Sequence, residues 1–146
     1  MMIKILFVCH GNICRSPMAE FVMKDMVRKA GLEDRFEIAS CAVSREEEGN
    51  PIYGPAQREL KAHGVPFTEH YARLITPRDL TYFDRFYYMD SRNASYLRRL
   101  FPEHKGFLPI LDRDVADPWY SGYFRQTWED ICEGCQRILE ELRGWI

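Results

Sequence analysis

The sequence has no apolar run near the roughly 20 residues that a membrane-spanning helix needs, and it has no internal repeat or low-complexity segment. It also lacks an excess of either charge, because 20 basic and 22 acidic residues give a net charge of -2. A basic cluster interleaved with aromatic side chains, which would favour nucleic acid, is missing as well. We therefore expect neither a membrane nor a nucleic acid as a partner.

The five cysteines are an odd number and provide no even framework of disulfide bonds. The apolar run near the N-terminus is only about six residues long and has no small-residue cleavage pattern, which argues against a signal peptide. A reducing, cytoplasmic location is the expectation that follows. The length of 146 residues suits a single domain, which we place over residues 1–146.

Hydrophobic periodicity predicts strands that alternate with helices along the chain. For the first helix, we predict Ser16 as the N-cap, Pro17 as the first helical residue and Gly31 as the end. Pro109 favours an edge position for the fourth strand. The predicted strands are 3–8, 36–43, 85–90 and 106–111, with an extended segment at 70–76, and the later helices are 55–63, 76–80, 91–101 and 123–142.

This alternation implies right-handed crossovers and a mostly parallel sheet. We expect a single three-layer α/β domain, in which a four-stranded parallel sheet of order 2-1-3-4 carries helices on both faces. Ligands in such sheets bind outside the carboxyl ends of the strands. The segment "VCHGNICRSP", residues 8–17, leaves the first strand at that end.

The spacing of Cys9 and Arg15 is weak evidence alone, but its context is specific. A strand precedes it, Gly11 and Asn12 lie within it, and a serine-proline pair opens a helix after it. Such a loop turns backbone N–H groups inwards and binds an anion at a helix N-terminus, where Arg15 would add a bidentate clamp. The same positive environment favours the thiolate of Cys9, which would then attack a bound phosphorus atom.

These residues resemble the signature of the low-molecular-weight protein tyrosine phosphatases, which is a cysteine, five residues, an arginine and a serine. A second segment, "ADPWY" at 116–120, resembles the aspartate-proline-aromatic loop that carries the family's general acid. The two motifs occur in the family's order on a chain of the family's length. The resemblance implies that Cys9 is the nucleophile, Arg15 the phosphate-binding residue and Asp117 the general acid.

The resemblance also implies roles for the residues around this centre. Asn12 would take a strained left-handed conformation supported by Ser16, Ser40 and His70, and asparagine tolerates that geometry. Trp119 and Tyr120 would flank the ring of the substrate. Ile13 would form part of the cleft floor, where relatives that prefer phosphoarginine carry threonine. The phosphate-binding loop would comprise His10, Gly11, Asn12, Ile13, Cys14 and Ser16.

The predicted function is hydrolysis of phosphotyrosine in proteins, and of small aryl phosphates, through a cysteinyl-phosphate intermediate. The reaction releases inorganic phosphate and needs no metal or cofactor. A monomer or weak dimer is expected.

Phosphoarginine hydrolysis is one alternative function. A thiol-dependent arsenate reductase is disfavoured because residues 42–131 contain no resolving cysteine. A metal or redox module remains a further alternative, because Cys132 and Cys135 have the spacing of ligands, although at that spacing in a helix they more simply face the core.

Several interpretations stay open from the sequence. Asp112 and Asp114 are rival general acids close to the aspartate-proline pair. Cys14 is either a small buried residue of the loop or the partner of a reversible disulfide that protects the nucleophile. The three glutamates at 46–48 are typical of a solvated face, but at the mouth of the cleft they would disfavour acidic peptides.

Overall fold

The computed structural model describes residues 2–146. Four parallel strands form one sheet in the order β2-β1-β3-β4, which is the order predicted from the sequence. Pro109 lies in β4, at the edge of the sheet, where a missing N–H removes no bond from the interior of the ladder. The strands are β1 (Ile3–Cys9), β2 (Phe36–Ala42), β3 (Arg85–Tyr88) and β4 (Phe107–Pro109).

Helices occur at every position where the sequence predicts one, and two short elements were not predicted. These are a single 3₁₀ turn at Glu33–Arg35 and a four-residue helix that begins at the proline of the aspartate-proline pair. Neither is long enough to show a helical periodicity of apolar residues. The helices are α1 (Arg15–Lys29), α2 (Gly54–Ala62), α3 (Pro77–Tyr82), α4 (Ser91–Leu100), α5 (Pro118–Ser121) and α6 (Phe124–Arg143).

The sheet separates two apolar cores, which gives the three-layer architecture expected. Side chains of β1 alternate between them: Ile5 and Phe7 pack with α1, α2 and α6, while Leu6 and Val8 pack with α3 and α4. All four are fully buried. The continuous apolar run of β1 is therefore explained by burial on both faces, as parallel sheets require.

The start of α1 differs from the prediction. Ser16 is not the N-cap, because the helix begins at Arg15 and the cap position is Cys14, whose side chain makes no capping hydrogen bond. Pro17 is accordingly the third helical residue instead of the first. The hydroxyl of Ser16 is engaged with the loop residues that precede it. The helix ends as predicted, since Gly31 follows the C-cap with a φ of +74°.

The apolar side chains of α6 face the core, but Tyr123, where the helix was predicted to begin, does not. Tyr123 precedes the helix and is 74% exposed, while Cys135 is buried and donates to the carbonyl of Ala19 at 3.7 Å. Cys132 is half-buried against the same core. Within residues 2–146, no group of three histidine, cysteine or acidic side chains is arranged to hold a metal ion. None of the helices described there is long and apolar enough to cross a bilayer.

Gly134 lies tightly against Ile110, the residue that follows β4. A Cβ at this position would lie 2.5 Å from Cγ1 of Ile110 and 3.1 Å from its carbonyl oxygen. Alanine normally improves a helix interior by about 1 kcal/mol over glycine. Overpacking of a tight site costs about 1–3 kcal/mol, which outweighs that gain.

We therefore expect Gly134→Ala to lower the free energy of unfolding by up to about 2 kcal/mol, as measured by urea denaturation. Gly144→Ala is the matched control, because a Cβ there would meet its nearest neighbour at an ordinary 3.6 Å. An unfolding midpoint of Gly134→Ala at or above that of the wild type would show that the helix is free to move away from Ile110.

Candidate active site

A pocket opens at the carboxyl end of β1, where the chain turns into α1. Its floor is the predicted loop, and its walls come from two distant segments of the chain. Ser16 lies behind the loop and not in the pocket wall. The lining residues are Cys9, His10, Gly11, Asn12, Ile13, Cys14, Arg15, Glu46, Glu47, Asp117, Trp119 and Tyr120.

The buried side chain of Asn12 holds the loop in its conformation. Asn12 has a φ of +62°, a left-handed value that no other non-glycine residue in the described part of the chain adopts. Its Nδ2 group donates to Ser16 Oγ at 2.7 Å and to Ser40 Oγ at 3.0 Å. Its Oδ1 atom accepts from His70 Nε2 at 3.1 Å and from the Arg73 amide at 3.3 Å. The amide side chain is thus satisfied at both ends.

The sulfur of Cys9 lies inside this loop and is 3% exposed as a residue. Ser16 Oγ is 3.0 Å from Sγ, and the backbone N–H of Asn12 donates to Sγ over 3.3 Å. Because Ser16 Oγ accepts from Asn12, its own proton is available to the sulfur, which is nearer than the alternative acceptor, the Cys41 carbonyl at 3.4 Å. The N–H groups of Gly11, Ile13 and Cys14 donate to no backbone carbonyl within residues 2–146, which leaves them available to an anion.

Arg15 is 2% exposed, and its guanidinium is held on one side by acidic partners. Nη1 donates to Asp90 Oδ2 at 2.6 Å and to the carbonyl of Val115 at 2.8 Å. Burial opposes the charge, but Cys9, Asp90 and Asp117 outweigh it and raise the pKa of Arg15 above its usual value. Arg15 is therefore a permanent cation on the inner wall of the pocket.

Asp90 is a site residue that the sequence analysis missed. The third strand was predicted to run through residue 90, but β3 ends at Tyr88 and Asp90 is the N-cap of α4. Its Oδ1 atom accepts from the amide of Asn93 at 2.8 Å while Oδ2 accepts from Arg15. The available signal was an acidic residue just after a strand and before a helical pattern, a typical capping position.

Asp117 is the only one of the three candidate acids that reaches the pocket within residues 2–146. Its Oδ2 atom lies 3.4 Å from Nη2 of Arg15, and its Oδ1 atom accepts from the amide of Trp119 at 3.0 Å. Asp114 instead accepts from the amide and hydroxyl of Ser91 at 3.0 and 3.1 Å. The side chain of Asp112 is 74% exposed and lies near arginines on the protein surface.

Behind Asn12 a second layer of polar groups fixes its partners. Ser40 donates to Glu20 Oε1 at 2.7 Å, and Lys24 donates to Glu20 Oε2 at 2.6 Å. His70 Nδ1 is 3.6 Å from the same carboxylate. Burial lowers the pKa of His70 despite the attraction of Glu20, so the imidazole is neutral at pH 7 and this approach is no ion pair. Glu20 carried no signal in the sequence, because it lies within the apolar pattern of α1.

Cys14 lines the pocket but does not resemble a second nucleophile. Burial, with the nearby charges of Cys9 and Asp117, raises the pKa of its thiol far above the usual value. All five cysteines are free thiols. Cys14 is accordingly protonated at neutral pH, and its protective pairing with the nucleophile stays a prediction.

The mouth of the pocket combines aromatic and acidic side chains. Trp119 is 52% exposed and Tyr120 78% exposed, and Tyr53 packs on Trp119 with ring centroids 4.7 Å apart. Glu46 and Glu47 also line the pocket, which corrects the interpretation of residues 46–48 as a purely solvated face. Glu46 is also in contact with the loop, because its Oε2 atom lies 3.1 Å from Nε2 of His10. Glu48 does not line the pocket, and it pairs with Arg45.

Comparison with known proteins agrees with this arrangement. The family model for low molecular weight phosphotyrosine protein phosphatase matches residues 4–144. A low molecular weight protein-tyrosine-phosphatase from Bacillus subtilis, YfkJ, is 36% identical over 97% of each chain, and its crystal structure superposes with a TM-score of 0.95 over 99% of this chain and 96% of that one. The Schizosaccharomyces pombe low molecular weight phosphotyrosine protein phosphatase is 41% identical over 96% of this chain and 97% of its own.

A further similar structure is that of a Drosophila arginine phosphatase, which is 29% identical with a TM-score of 0.87 over 95% of this chain and 97% of that one. The fold and these similarities define a phosphatase of the α/β class. The chain belongs to the low molecular weight phosphotyrosine protein phosphatase family, as the resemblance of its two motifs predicted.

The neutral state of His70 makes a prediction about stability and pH. A histidine whose pKa is lowered by folding binds fewer protons in the folded state, so stability falls as the pH drops below the unfolded pKa of about 6.5. We expect the wild type to lose more stability between pH of about 7 and about 5 than His70→Gln, whose amide still donates to Asn12 but does not titrate.

Urea unfolding at several pH values measures this difference. His63→Gln serves as the control, since that side chain is 41% exposed and lies outside the network around Asn12. Parallel pH dependences for the wild type and His70→Gln would show that the imidazole does not remain neutral in the folded state.

Proposed function

We propose that this chain hydrolyses phosphotyrosine and small aryl phosphates through a cysteinyl-phosphate intermediate. The observation that carries the proposal is the meeting of three groups in one pocket. The sulfur of Cys9, the guanidinium of Arg15 and the carboxyl of Asp117 come from two segments far apart in the sequence. A nucleophile, a cation and a proton donor are the three groups that phosphate ester cleavage through a covalent intermediate needs.

In the first step, the thiolate of Cys9 attacks phosphorus, and the bond from phosphorus to the phenolic oxygen breaks. Asp117 gives its proton to that oxygen, so a neutral phenol leaves. In the second step, a water molecule attacks the phosphorus of the cysteinyl-phosphate and loses a proton to Asp117. The sulfur–phosphorus bond breaks, and inorganic phosphate leaves with the thiolate restored.

The remaining groups of the loop act on charge. The hydroxyl of Ser16 and the amide of Asn12 stabilise the thiolate both before attack and when it leaves. Arg15 and the amides of the loop face the equatorial oxygens of the transferring group, whose charge they offset. Because Asp90 and the Val115 carbonyl fix Nη1 of Arg15, the cation keeps one orientation throughout.

An aryl leaving group suits the mouth of this pocket. The exposed rings of Trp119 and Tyr120 offer apolar faces at a rim otherwise lined by polar groups, and Ile13 packs beneath with Tyr53. These contacts support phosphotyrosine over phosphoserine, whose side chain has no ring to place there. Phosphoarginine is the second candidate, because a similar structure is that of an arginine phosphatase and Glu46 and Glu47 would attract a guanidinium.

We also propose that residues 1–146 act as one catalytic domain, as a monomer or weak dimer in the cytoplasm. The mechanism needs Cys9 as a free thiol, and reducing compartments keep thiols free. The five free cysteines are compatible with such a compartment.

The first test is phosphate release from phosphotyrosine, phosphoserine and phosphoarginine, with a chelator present. We expect release from phosphotyrosine above all, and its loss by at least about a thousandfold in Cys9→Ser and Arg15→Ala. Cys132→Ser is the control, because that half-buried thiol lies outside the pocket. Preferential release from phosphoarginine would move the substrate assignment to the second candidate, and no release from any would refute the phosphatase proposal.

The acid role of Asp117 has a separate signature. Asp117→Asn removes the proton that a poor leaving group needs, so kcat/KM for phenyl phosphate is expected to fall about 10²–10³-fold. For 2,4-dinitrophenyl phosphate, whose phenolate leaves unaided, the expected loss is below about tenfold. Asp112→Asn is the matched control and is expected to resemble the wild type. Equal losses for the two substrates would exclude Asp117 as the general acid.

A further inference from the structure

The segment that carries Asp117 is tied down at each of the four residues before it. Arg113 forms an ion pair with Asp130 of α6, and the carboxylate of Asp114 accepts a hydrogen bond from the amide of Ser91 at the start of α4. Val115 is fully buried. The amide of Val115 donates to the Met89 carbonyl at 2.8 Å, and its own carbonyl accepts from Arg15. Asp117 therefore follows a backbone of fixed course.

The last of these four ties is made by Thr127 on α6. Its Oγ1 atom lies 3.2 Å from the carbonyl oxygen of Ala116, and the residue is 1% exposed. The hydroxyl has one proton and a second acceptor within reach, the Tyr123 carbonyl of its own helix at 3.4 Å. The shorter contact is the one that leaves the helix and reaches the loop.

The position of that carbonyl matters because of the planar peptide bond. The carbonyl of Ala116 and the amide of Asp117 share one plane, so a bond to the carbonyl fixes the starting direction of the Asp117 backbone. The Asp117 carboxylate itself is held mainly from its own loop. Its Oδ1 atom accepts from the Trp119 amide at 3.0 Å, while the side chain is 26% exposed and its contact with Arg15 is long, at 3.4 Å.

We propose that Thr127 is a positioning residue that holds the general acid in place through the Ala116 carbonyl. The proposal rests on the function proposed above, in which Asp117 protonates the leaving oxygen. Thr127 does not line the pocket and touches no reacting atom. Proton transfer requires the carboxyl oxygen within roughly 2.6–3.2 Å of its target, so a small shift of this peptide plane lowers the rate of that step.

A second tie between α6 and the loop is more exposed. Nη2 of Arg113 lies 2.9 Å from both Asp130 Oδ1 and Glu133 Oε1. The arginine side chain is 48% exposed, although Asp130 is buried. This pair holds Arg113, four residues before Asp117, whereas the buried hydroxyl of Thr127 bonds the residue next to Asp117.

The test is Thr127→Val, which keeps the shape of the side chain and removes the hydroxyl. We expect kcat/KM for phenyl phosphate to fall roughly three- to tenfold and kcat/KM for 2,4-dinitrophenyl phosphate to change less than about twofold. Thr127→Ser should restore the lost activity, because it returns the donor. Arg125→Ala is the control on the same helix, where the side chain is 88% exposed, and it should resemble the wild type.

A double-mutant cycle separates positioning from a general structural effect. In the Asp117→Asn background there is no acid left to position, so Thr127→Val should have no further effect on phenyl phosphate. Equal losses for both substrates, no restoration by serine, or additive losses in the cycle would each overturn the positioning role. If Asp117→Asn shows the leaving-group signature and Thr127→Val does not, only this inference fails. If Asp117→Asn lacks it, the proposed acid and its positioning fail together.

Discussion

The site depends on the buried amide of Asn12. A left-handed backbone at a non-glycine residue is uncommon, and here it is maintained by hydrogen bonds from both ends of the side chain. Those bonds join α1, the end of β2 and the extended segment that follows α2, because Ser16, Ser40 and His70 belong to three different segments. The loop between β1 and α1 is thus shaped by contacts from three segments of the chain, and its amides at Gly11, Ile13 and Cys14 remain free for an anion.

The guanidinium in the pocket wall is paired with carboxylates of the protein itself. Arg15 is the one cation lining the wall within residues 2–146, and Asp90 and Asp117 both lie against it. In the proposed mechanism Asp117 is protonated when substrate binds, so Asp90 is then the charged partner that offsets part of the guanidinium charge. The loop amides and the N-terminus of α1, whose dipoles have no compensating partner, therefore add to the attraction for a phosphate dianion. Arg15 contributes orientation as much as charge, since its planar fork offers fixed donors.

The sequence predicted the parts of the site that lie close together along the chain. The loop after β1 and the aspartate-proline segment were each recognisable from local residue order. Asp90 was missed because its importance comes from a contact with Arg15, 75 positions away, that no local pattern records. Ser16 shows the opposite error. A serine before a helical pattern is normally a cap, but the hydroxyl of Ser16 is bonded to the sulfur of Cys9 and to the amide side chain of Asn12. Contacts within the loop that precedes α1 therefore outweigh the usual capping preference there.

The inner part of this pocket is rigid and its rim is exposed, a contrast that suits the proposed reaction. Cys9 and Arg15 are almost completely buried, and the backbone before Asp117 is held from both α4 and α6. The rim is different, because Trp119 and Tyr120 are exposed, and the acidic side chains there have only exposed partners. The groups that would meet phosphorus and the leaving oxygen in the proposed mechanism are the ones that the fold fixes. Groups that meet the rest of a substrate stand on the surface, where substitution alters recognition without disturbing the reacting centre.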